Sequence, residues 1–217
     1  MIARIVLALA AATAGILASV IQEAVEKREP PMIFSLEIDG KKIPIELDKP
    51  IDLETKGPGA KVTLRAEPHR VFSFGGLRFH YPRDMGFEAD LGTEGLKLWT
   101  LDGNAVVIMV QYYKERQDYE DLRKEYTDNM VKSVGRRNVK VESSTLTLQK
   151  KTLTGSTLRL NMAGTKLAQS VYSFQVGDDS VVLVLQDSLT DDGAITEEFA
   201  RSLKLMQETF QFPKDVK

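Results

Sequence analysis

The sequence predicts an α+β protein in which a mainly antiparallel sheet is covered on two sides and is preceded by a small β module. Three observations predict this class. Apolar residues alternate with polar ones in residues 32–68, as expected for short, half-buried strands. The runs AVVIMV (Ala105–Val110) and VVLVL (Val181–Leu185) are apolar without alternation, which is typical of strands buried on both faces. Two amphipathic helical patterns provide the covers for such a sheet.

Residues 1–31 are predicted to be a signal peptide or an N-terminal membrane anchor, followed by a charged linker. The run Ile5–Ile21 carries no charge and follows Arg4. A cleaved signal needs a small-residue site, and Ala12-Thr13-Ala14 fits that pattern although it lies inside the apolar run. As an uncleaved helix the run would be about 26 Å long, just short of a hydrocarbon core of ~30 Å. A buried helix is the third alternative.

The small β module is predicted at residues 32–68. Asp39-Gly40 is a preferred pair for a tight hairpin turn. A third short strand is expected at Ile51 and Leu53, and a fourth at Lys61–Ala66. Because so few strands bury little area, we expect the module to pack on the following domain or on a partner. The alternating apolar residues on either side of the turn are Phe34, Leu36, Ile38, Ile43, Ile45 and Leu47.

The larger domain is predicted at residues 71–213, with the order βββ-α-ββββ-α. The short local connections favour antiparallel pairing. The first helix is expected at Gln117–Val134 and the second at Thr196–Phe210, where Asp191, Asp192 or Thr196 can cap the first turn. The apolar stripes are Tyr119, Leu122, Tyr126 and Met130 in the first helix, and Phe199, Leu203, Met206 and Phe210 in the second. The strand segments are Leu77–Tyr81, Leu96–Leu101, Ala105–Tyr113, Val139–Leu148, Leu153–Met162, Leu167–Val176 and Val181–Leu185.

Three segments together resemble a known family. They are the opening GLRFHYP (Gly76–Pro82), the strand LTGSTLRLNM (Leu153–Met162) and the closing helix EEFARSLKLMQETFQF (Glu197–Phe212). Residues 71–212 thereby resemble the PsbP-like superfamily, which includes the extrinsic photosystem II protein, a Ran-binding nuclear transport factor and bacterial envelope proteins. The resemblance implies an α/β/α sandwich around an antiparallel sheet, and binding or accessory roles. The family has no shared catalytic motif, so the resemblance implies no active-site residue. The module at 32–68 departs from the minimal family pattern.

Composition excludes several classes of function. The chain has 29 Lys+Arg against 31 Asp+Glu, so it lacks the basic excess that is usual in a nucleic-acid-binding protein. It contains no cysteine, which excludes thiol nucleophiles, cysteine–zinc sites and lipid attachment at an N-terminal cysteine. An exported protein of this composition is stabilised without disulfides.

The residues that could support catalysis are few. The two histidines are His69 and His80, and either would need a partner group to act as an acid or a base. No serine lies in a G-x-S-x-G elbow, and Gly155-Ser156-Thr157 is interpreted as a strand kink. No glycine-rich phosphate-binding fingerprint is present, and Gly75-Gly76 is interpreted as a turn.

Two further groups of residues each have a functional and a structural interpretation. The acidic cluster could bind a hard cation such as calcium, or could stabilise the N-terminus of the second helix. The aromatic group could line a ligand surface, or could be core packing beneath a helix. Asp178-Asp179 is interpreted as a hairpin turn. The acidic cluster is Asp187, Asp191, Asp192, Glu197 and Glu198, and the aromatic group is Trp99, Tyr112 and Tyr113.

The sequence therefore assigns no catalytic, cofactor-binding or metal-binding residue and no cofactor. We expect a non-enzymatic, exported or membrane-anchored accessory protein of the cell envelope that binds another envelope protein and no nucleic acid. It would be periplasmic or otherwise extracytoplasmic, with residues 5–21 available to associate with the inner membrane. One alternative is a carrier of a small apolar or lipid-like ligand. The other is a hydrolase that uses His80 and an acidic partner.

Overall fold

The computed structural model of the chain describes residues 27–45, 49–51, 61–162 and 164–213. Within these residues it confirms an α+β protein with an antiparallel sheet. The predicted signal or anchor at residues 5–21 lies outside the described residues, as do Leu47 and Leu53 of the predicted module. In the part of the chain that is described, no helix combines the length and the apolarity needed to cross a bilayer.

The strands of the described residues form three separate sheets. A three-stranded sheet has the order β2-β1-β3, a two-stranded sheet is the hairpin β4-β5, and a seven-stranded main sheet has the order β6-β7-β8-β12-β11-β10-β9. The strands are β1 (Phe34–Ile38), β2 (Lys41–Ile45), β3 (Val62–Ala66), β4 (His69–Phe74), β5 (Leu77–Pro82), β6 (Gly86–Asp90), β7 (Leu96–Asp102), β8 (Val106–Tyr113), β9 (Val139–Leu148), β10 (Lys151–Met162), β11 (Thr165–Val176) and β12 (Asp179–Ser188).

The main sheet consists of two antiparallel meanders that meet at its centre. One meander is β6-β7-β8 and the other is β9-β10-β11-β12, and they join through the pairing of β12 with β8, where Val184 lies opposite Met109. Helix α1 (Tyr119–Val134) connects β8 in the centre to β9 at the far edge. Helix α2 (Glu197–Thr209) follows β12.

Each face of the main sheet has its own apolar cluster. Successive residues of β12 point to opposite faces, so Val182 and Val184 belong to one cluster and Val181, Leu183 and Leu185 to the other. All five are at most 3% exposed. The prediction that this apolar run is buried on both faces is therefore confirmed.

Helix α1 packs over the first of these faces. Leu122, Tyr126 and Met130 contact the cluster around Val182 and Val184, as the helical pattern predicts. Tyr119 differs from the prediction, because it is in the first turn and 44% exposed. Asp118 caps the helix by accepting hydrogen bonds from the N–H groups of the next turn, and Gly135 ends it at a φ of 89°.

The opposite face carries both α2 and the β4–β5 hairpin. Phe79 of the hairpin stacks on Phe210 at the end of α2, with ring centroids 5.6 Å apart. Phe72 meets the edge of Trp99 at 5.6 Å. The sequence analysis did not predict strand β4. Because β4 pairs with Leu77–Pro82, that segment is the second strand of a separate hairpin and does not belong to the main sheet. Strand β6 was not predicted either.

Candidate functional site

The small three-stranded sheet has one apolar face, which we call the module face. In the register Leu36 lies between Ile43 and Leu64, and cross-strand partners project from the same side of a sheet. The hairpin turn forms because Asp39 and Gly40 both take positive φ values, 48° and 81°, which a primed turn requires. The module face comprises Phe34, Leu36, Ile38, Ile43, Ile45, Val62, Leu64 and Ala66, with Lys41 at one end.

Much of the module face is accessible to solvent. Leu64 is 62% exposed and Val62 is 49% exposed, whereas Ile38 is buried. Neither exposed residue belongs to the two apolar clusters of the main sheet, among the residues that the structure describes. Contiguous exposed apolar surface in a folded protein is typical of an interaction site.

The two edges of this sheet differ. The β2 edge contains Pro44, which has no N–H to donate, and two lysines, Lys41 and Lys42. Proline and lysine protect edge strands from pairing with another chain. The β3 edge has neither, since its sequence is VTLRA. The exposed apolar residues of the module face thus lie on the edge strand that contains neither proline nor lysine.

The other face of the small sheet is polar. Arg65 forms an ion pair with Glu37 at 2.6 Å, and Lys42 forms one with Glu67 at 2.6 Å. The hydrogen bond from Lys42 is the largest cause of a lowered pKa of Glu67. Exposed ion pairs contribute little stability, but these keep the charged side chains off the module face.

The two histidines are brought together by the β4–β5 hairpin. The imidazole rings of His69 and His80 stack with centroids 4.4 Å apart and an interplanar angle of 11°. Burial is the largest cause of a lowered pKa for both. The charges that act on His80 are those of His69 and Arg78, and both lower its pKa further. No carboxylate is among them, so the environment differs from that of a histidine base paired with an acid.

The acidic cluster makes hydrogen bonds around the start of α2. The carboxylate of Asp187 is buried and accepts from the backbone N–H and the hydroxyl of Thr196, at 3.0 and 2.6 Å. Thr196 caps the helix by accepting a hydrogen bond from the N–H of Phe199.

Glu198 accepts hydrogen bonds from the N–H groups of Asn104 and Ala105, at 3.0 and 2.9 Å. Within the described residues, no three acidic or histidine side chains are grouped so that they could hold a metal ion.

The aromatic group is divided between different environments. Trp99 is fully buried, so its role in core packing is confirmed, and its ring contacts Phe72 and Phe74 of the β4–β5 hairpin. Tyr113 points to the opposite face and packs in the cluster under α1. Tyr112 donates a hydrogen bond from its hydroxyl to Asp179 at 2.6 Å and lines a cleft of about 420 Å³. These three side chains do not form one ligand surface.

Two glycine predictions have a definite structural outcome. Gly75 and Gly76 form the turn between β4 and β5, with positive φ values of 57° and 75°. Gly155 lies within the uninterrupted strand β10, and a Cβ atom there would be 2.4 Å from the ring of Tyr172 on β11. Its role is therefore to make room for a cross-strand aromatic ring, which the prediction of a kink did not anticipate.

The fold and the module face define a mainly antiparallel α+β protein with an exposed apolar β surface. No protein-family model and no curated protein matches the chain. Among solved structures, it is similar to a crystal structure from Bacteroides thetaiotaomicron, with 15% identity and a TM-score of 0.42. That alignment covers 69% of this chain and 50% of the other, so the chain spans about half the length of that protein. At this TM-score the likeness supports no inference about fold or function.

Proposed function

We propose that this chain is a non-enzymatic accessory protein of the cell envelope that binds another protein through the module face. The observation that carries the proposal is the exposure of Val62 and Leu64 on the apolar face of a sheet, in an edge strand without proline or lysine. Burying such a surface against a partner is favourable by about 25 cal/mol per Å² of apolar area. The partner would supply an apolar surface, a strand added to β3, or both.

The remaining predictions belong to the same proposal. Residues 5–21 direct export or anchor the chain in the inner membrane, so the rest of the protein is extracytoplasmic. Residues 71–213 form an α/β/α sandwich of the PsbP-like type, and residues 32–68 are an added module. The chain before and after the module is held together, since Arg70 of β4 donates to the carbonyl of Pro30 at 3.1 Å and forms an ion pair with Glu29. The main domain thereby holds both ends of the module close to β4.

The two alternatives have weaker support. A carrier of an apolar ligand was predicted from Trp99, Tyr112 and Tyr113, and these residues lie in different environments. A hydrolase that uses His80 needs an acidic partner, and the charged groups that influence His80 are cationic. We therefore rank both below the accessory protein.

The test is crosslinking and affinity capture of the tagged, natively expressed full chain, followed by mass spectrometry. The informative variant is Val62→Glu with Leu64→Glu, which places two charges on the module face. The matched control is Val141→Glu, because Val141 is also an exposed apolar strand residue (45%) but lies on β9 of the main sheet.

The proposal predicts one near-stoichiometric envelope protein captured by the wild type and by V141E, and its loss in V62E/L64E. A partner that is retained by V62E/L64E would contradict the module face as the binding site. Capture of no reproducible partner by the wild type would contradict the accessory function itself.

A further inference from the structure

A cleft separate from the module face lies between the β4–β5 hairpin and α2. Its volume is about 430 Å³, within the range of about 300–1,000 Å³ that is usual for small-molecule sites. The side nearest the hairpin supplies His69, Arg83 and Asp84, and α2 supplies Arg201, Lys204 and Glu208. We call this region the α2 cleft.

Besides its apolar stripe, helix α2 has a stripe of charged side chains that faces this cleft. Arg201, Lys204 and Glu208 recur at spacings of three and four residues, so they lie on one side of the helix. Arg201 and Lys204 are like charges one turn apart, an arrangement that slightly destabilises a helix. Lys204 is also four residues before Glu208, a spacing that slightly stabilises a helix. An anion bound between Arg201 and Lys204 would offset the repulsion between these two cations.

The cationic side chains of the α2 cleft form few hydrogen bonds or ion pairs with the described residues. Among the described residues, the guanidinium of Arg83 has a single hydrogen-bond partner, the carbonyl of Ala66 at 3.4 Å. Lys204 and Glu208 are 3.9 Å apart, at the limit of an ion pair. Arg201 has no hydrogen-bond or ion-pair partner among the described residues. Most of the donors that face the cleft are therefore free to bind a ligand.

His69 adds a neutral donor to these cations. Its ring stacks on His80, which holds its orientation beside the cleft. The hairpin is in turn tied to α2, because the backbone N–H of His80 donates to the Thr209 hydroxyl at 2.9 Å, and that hydroxyl donates to the carbonyl of Leu205 at 2.6 Å. The two walls of the cleft are thus fixed relative to each other, which lowers the cost of ordering the site on binding.

We propose that the α2 cleft binds a single phosphoryl group, carried either by a soluble phosphomonoester or by a lipid headgroup. The planar guanidinium of Arg201 suits two phosphate oxygens at once, and Lys204 contributes a compact positive charge. Arg83 approaches from the hairpin side. The lining also contains the carboxylates of Asp84 and Glu208, so its three cations face two anions and its net positive charge is small. A small net positive charge favours one phosphate over a polyanion. The lining of this site contains no side chain of the module face, although Arg83 donates a hydrogen bond to the backbone carbonyl of Ala66 there.

The first experiment titrates the full chain in a maltoside detergent, which carries no phosphate, with inorganic phosphate at constant ionic strength, observed by NMR. The informative variant is Arg201→Gln with Lys204→Gln, which removes two exposed charges and keeps two good helix formers. The matched control is Arg136→Gln with Arg137→Gln, since that exposed pair follows α1, the helix on the other face of the main sheet.

The proposal predicts saturable shifts of the His69 ring and of the α2 amides, and at least a tenfold weaker affinity in R201Q/K204Q. The control R136Q/R137Q should bind as the wild type does. Equal affinities in the two variants, or shifts that rise linearly without saturation, would overturn the proposal. Thermal unfolding of both variants shows whether a loss of binding reflects a loss of fold.

A second arm distinguishes the source of the phosphate. The same titration is repeated in nanodiscs that contain phosphatidylglycerol. If the anionic lipid shifts the His69 ring before phosphate is added and prevents the later response, the ligand is a lipid headgroup. If the phosphate response is unchanged, the ligand is soluble. A response to the lipid that persists in R201Q/K204Q would contradict binding in the α2 cleft.

Discussion

Individual carboxylates join parts of the chain that are distant in sequence. Glu198, at the start of α2, accepts two backbone hydrogen bonds from the turn between β7 and β8, more than ninety positions earlier. Asp179, at the start of β12, accepts from the Tyr112 hydroxyl and from the N–H of Glu115. These side chains satisfy backbone N–H groups that would otherwise lack partners, so each has a structural role that a local sequence pattern does not reveal.

Replacing Glu198 by alanine should destabilise the protein measurably. The change leaves the N–H groups of Asn104 and Ala105 without their carboxylate, and hydrogen bonds to a charged group contribute roughly 1.5–3 kcal/mol. We expect a decrease of about 1–3 kcal/mol in the free energy of unfolding, measured by urea denaturation. The matched control is Glu197→Ala, an exposed neighbour in the same helical turn, which should cost less than about 0.5 kcal/mol. Equal losses would contradict the role assigned to Glu198.

The stacked histidines should make stability depend on pH in one direction. Because the folded state lowers the pKa of His69 and His80 below 6.5, the unfolded chain binds protons more readily than the folded chain as pH falls past 6.5. Stability is therefore fully present above about pH 6.5 and decreases below it, toward the lowered pKa values. Other charged groups near these rings are Glu67, Lys42 and Arg78, and those that line the α2 cleft beside His69, which are Arg83, Asp84, Arg201, Lys204 and Glu208.

Urea midpoints at pH 7.5 and pH 5.5 measure this effect in the wild type and in His80→Gln. The variant should lose less stability than the wild type between the two pH values, because it has one fewer histidine with a lowered pKa. An identical loss in both proteins would show that the histidine pair does not contribute to the pH dependence.

At the scale of elements, long periodic segments could be predicted from the sequence and short ones could not. The start and end of α1 follow from the local caps Asp118 and Gly135, and the start of α2 follows from Thr196. Strand β6, GFEAD, has only a weak apolar signal. Strand β4 did have a usable signal, since Phe72 and Phe74 alternate just before the Gly75-Gly76 turn. If β4 is not predicted, no pattern in the sequence places His69 beside His80.

The packing of β10 against β11 can be tested at Gly155. A Cβ atom at this position would lie 2.4 Å from the Tyr172 ring and 2.5 Å from the carbonyl oxygen of Val171. Since the backbone oxygen cannot move aside without disturbing the sheet, Gly155→Ala should cost about 1–3 kcal/mol, the range for overpacking. Thermal or urea unfolding measures the change.

The control for that substitution is Gly86→Ala in strand β6. A Cβ atom there would meet only the carbonyl oxygen of Asp102 at 3.6 Å, which is ordinary contact, and φ is not positive. The alanine also restricts the unfolded chain, so the stability should be unchanged or slightly higher. A G155A protein as stable as G86A would contradict the close packing of Tyr172 over Gly155.

The whole molecule contains two kinds of apolar surface. The main sheet buries its apolar residues in a cluster on each face, under α1 on one side and under α2 and the β4–β5 hairpin on the other. On the module face, by contrast, Val62 and Leu64 are 49% and 62% exposed. Its apolar alternation was visible in the sequence, but its exposure was not, because exposure depends on what packs against the small sheet. This contrast is the basis of the proposed accessory function.

The most direct test of that function is site-specific photocrosslinking in cells that express the full chain natively. A photoreactive phenylalanine analogue is placed at Leu64, and in a separate control at Val141, which is similarly exposed on β9. The account predicts a discrete, reproducible adduct with one envelope protein from position 64 and none with that protein from position 141. Adducts with the same protein from both positions, or from position 141 alone, would contradict binding through the module face.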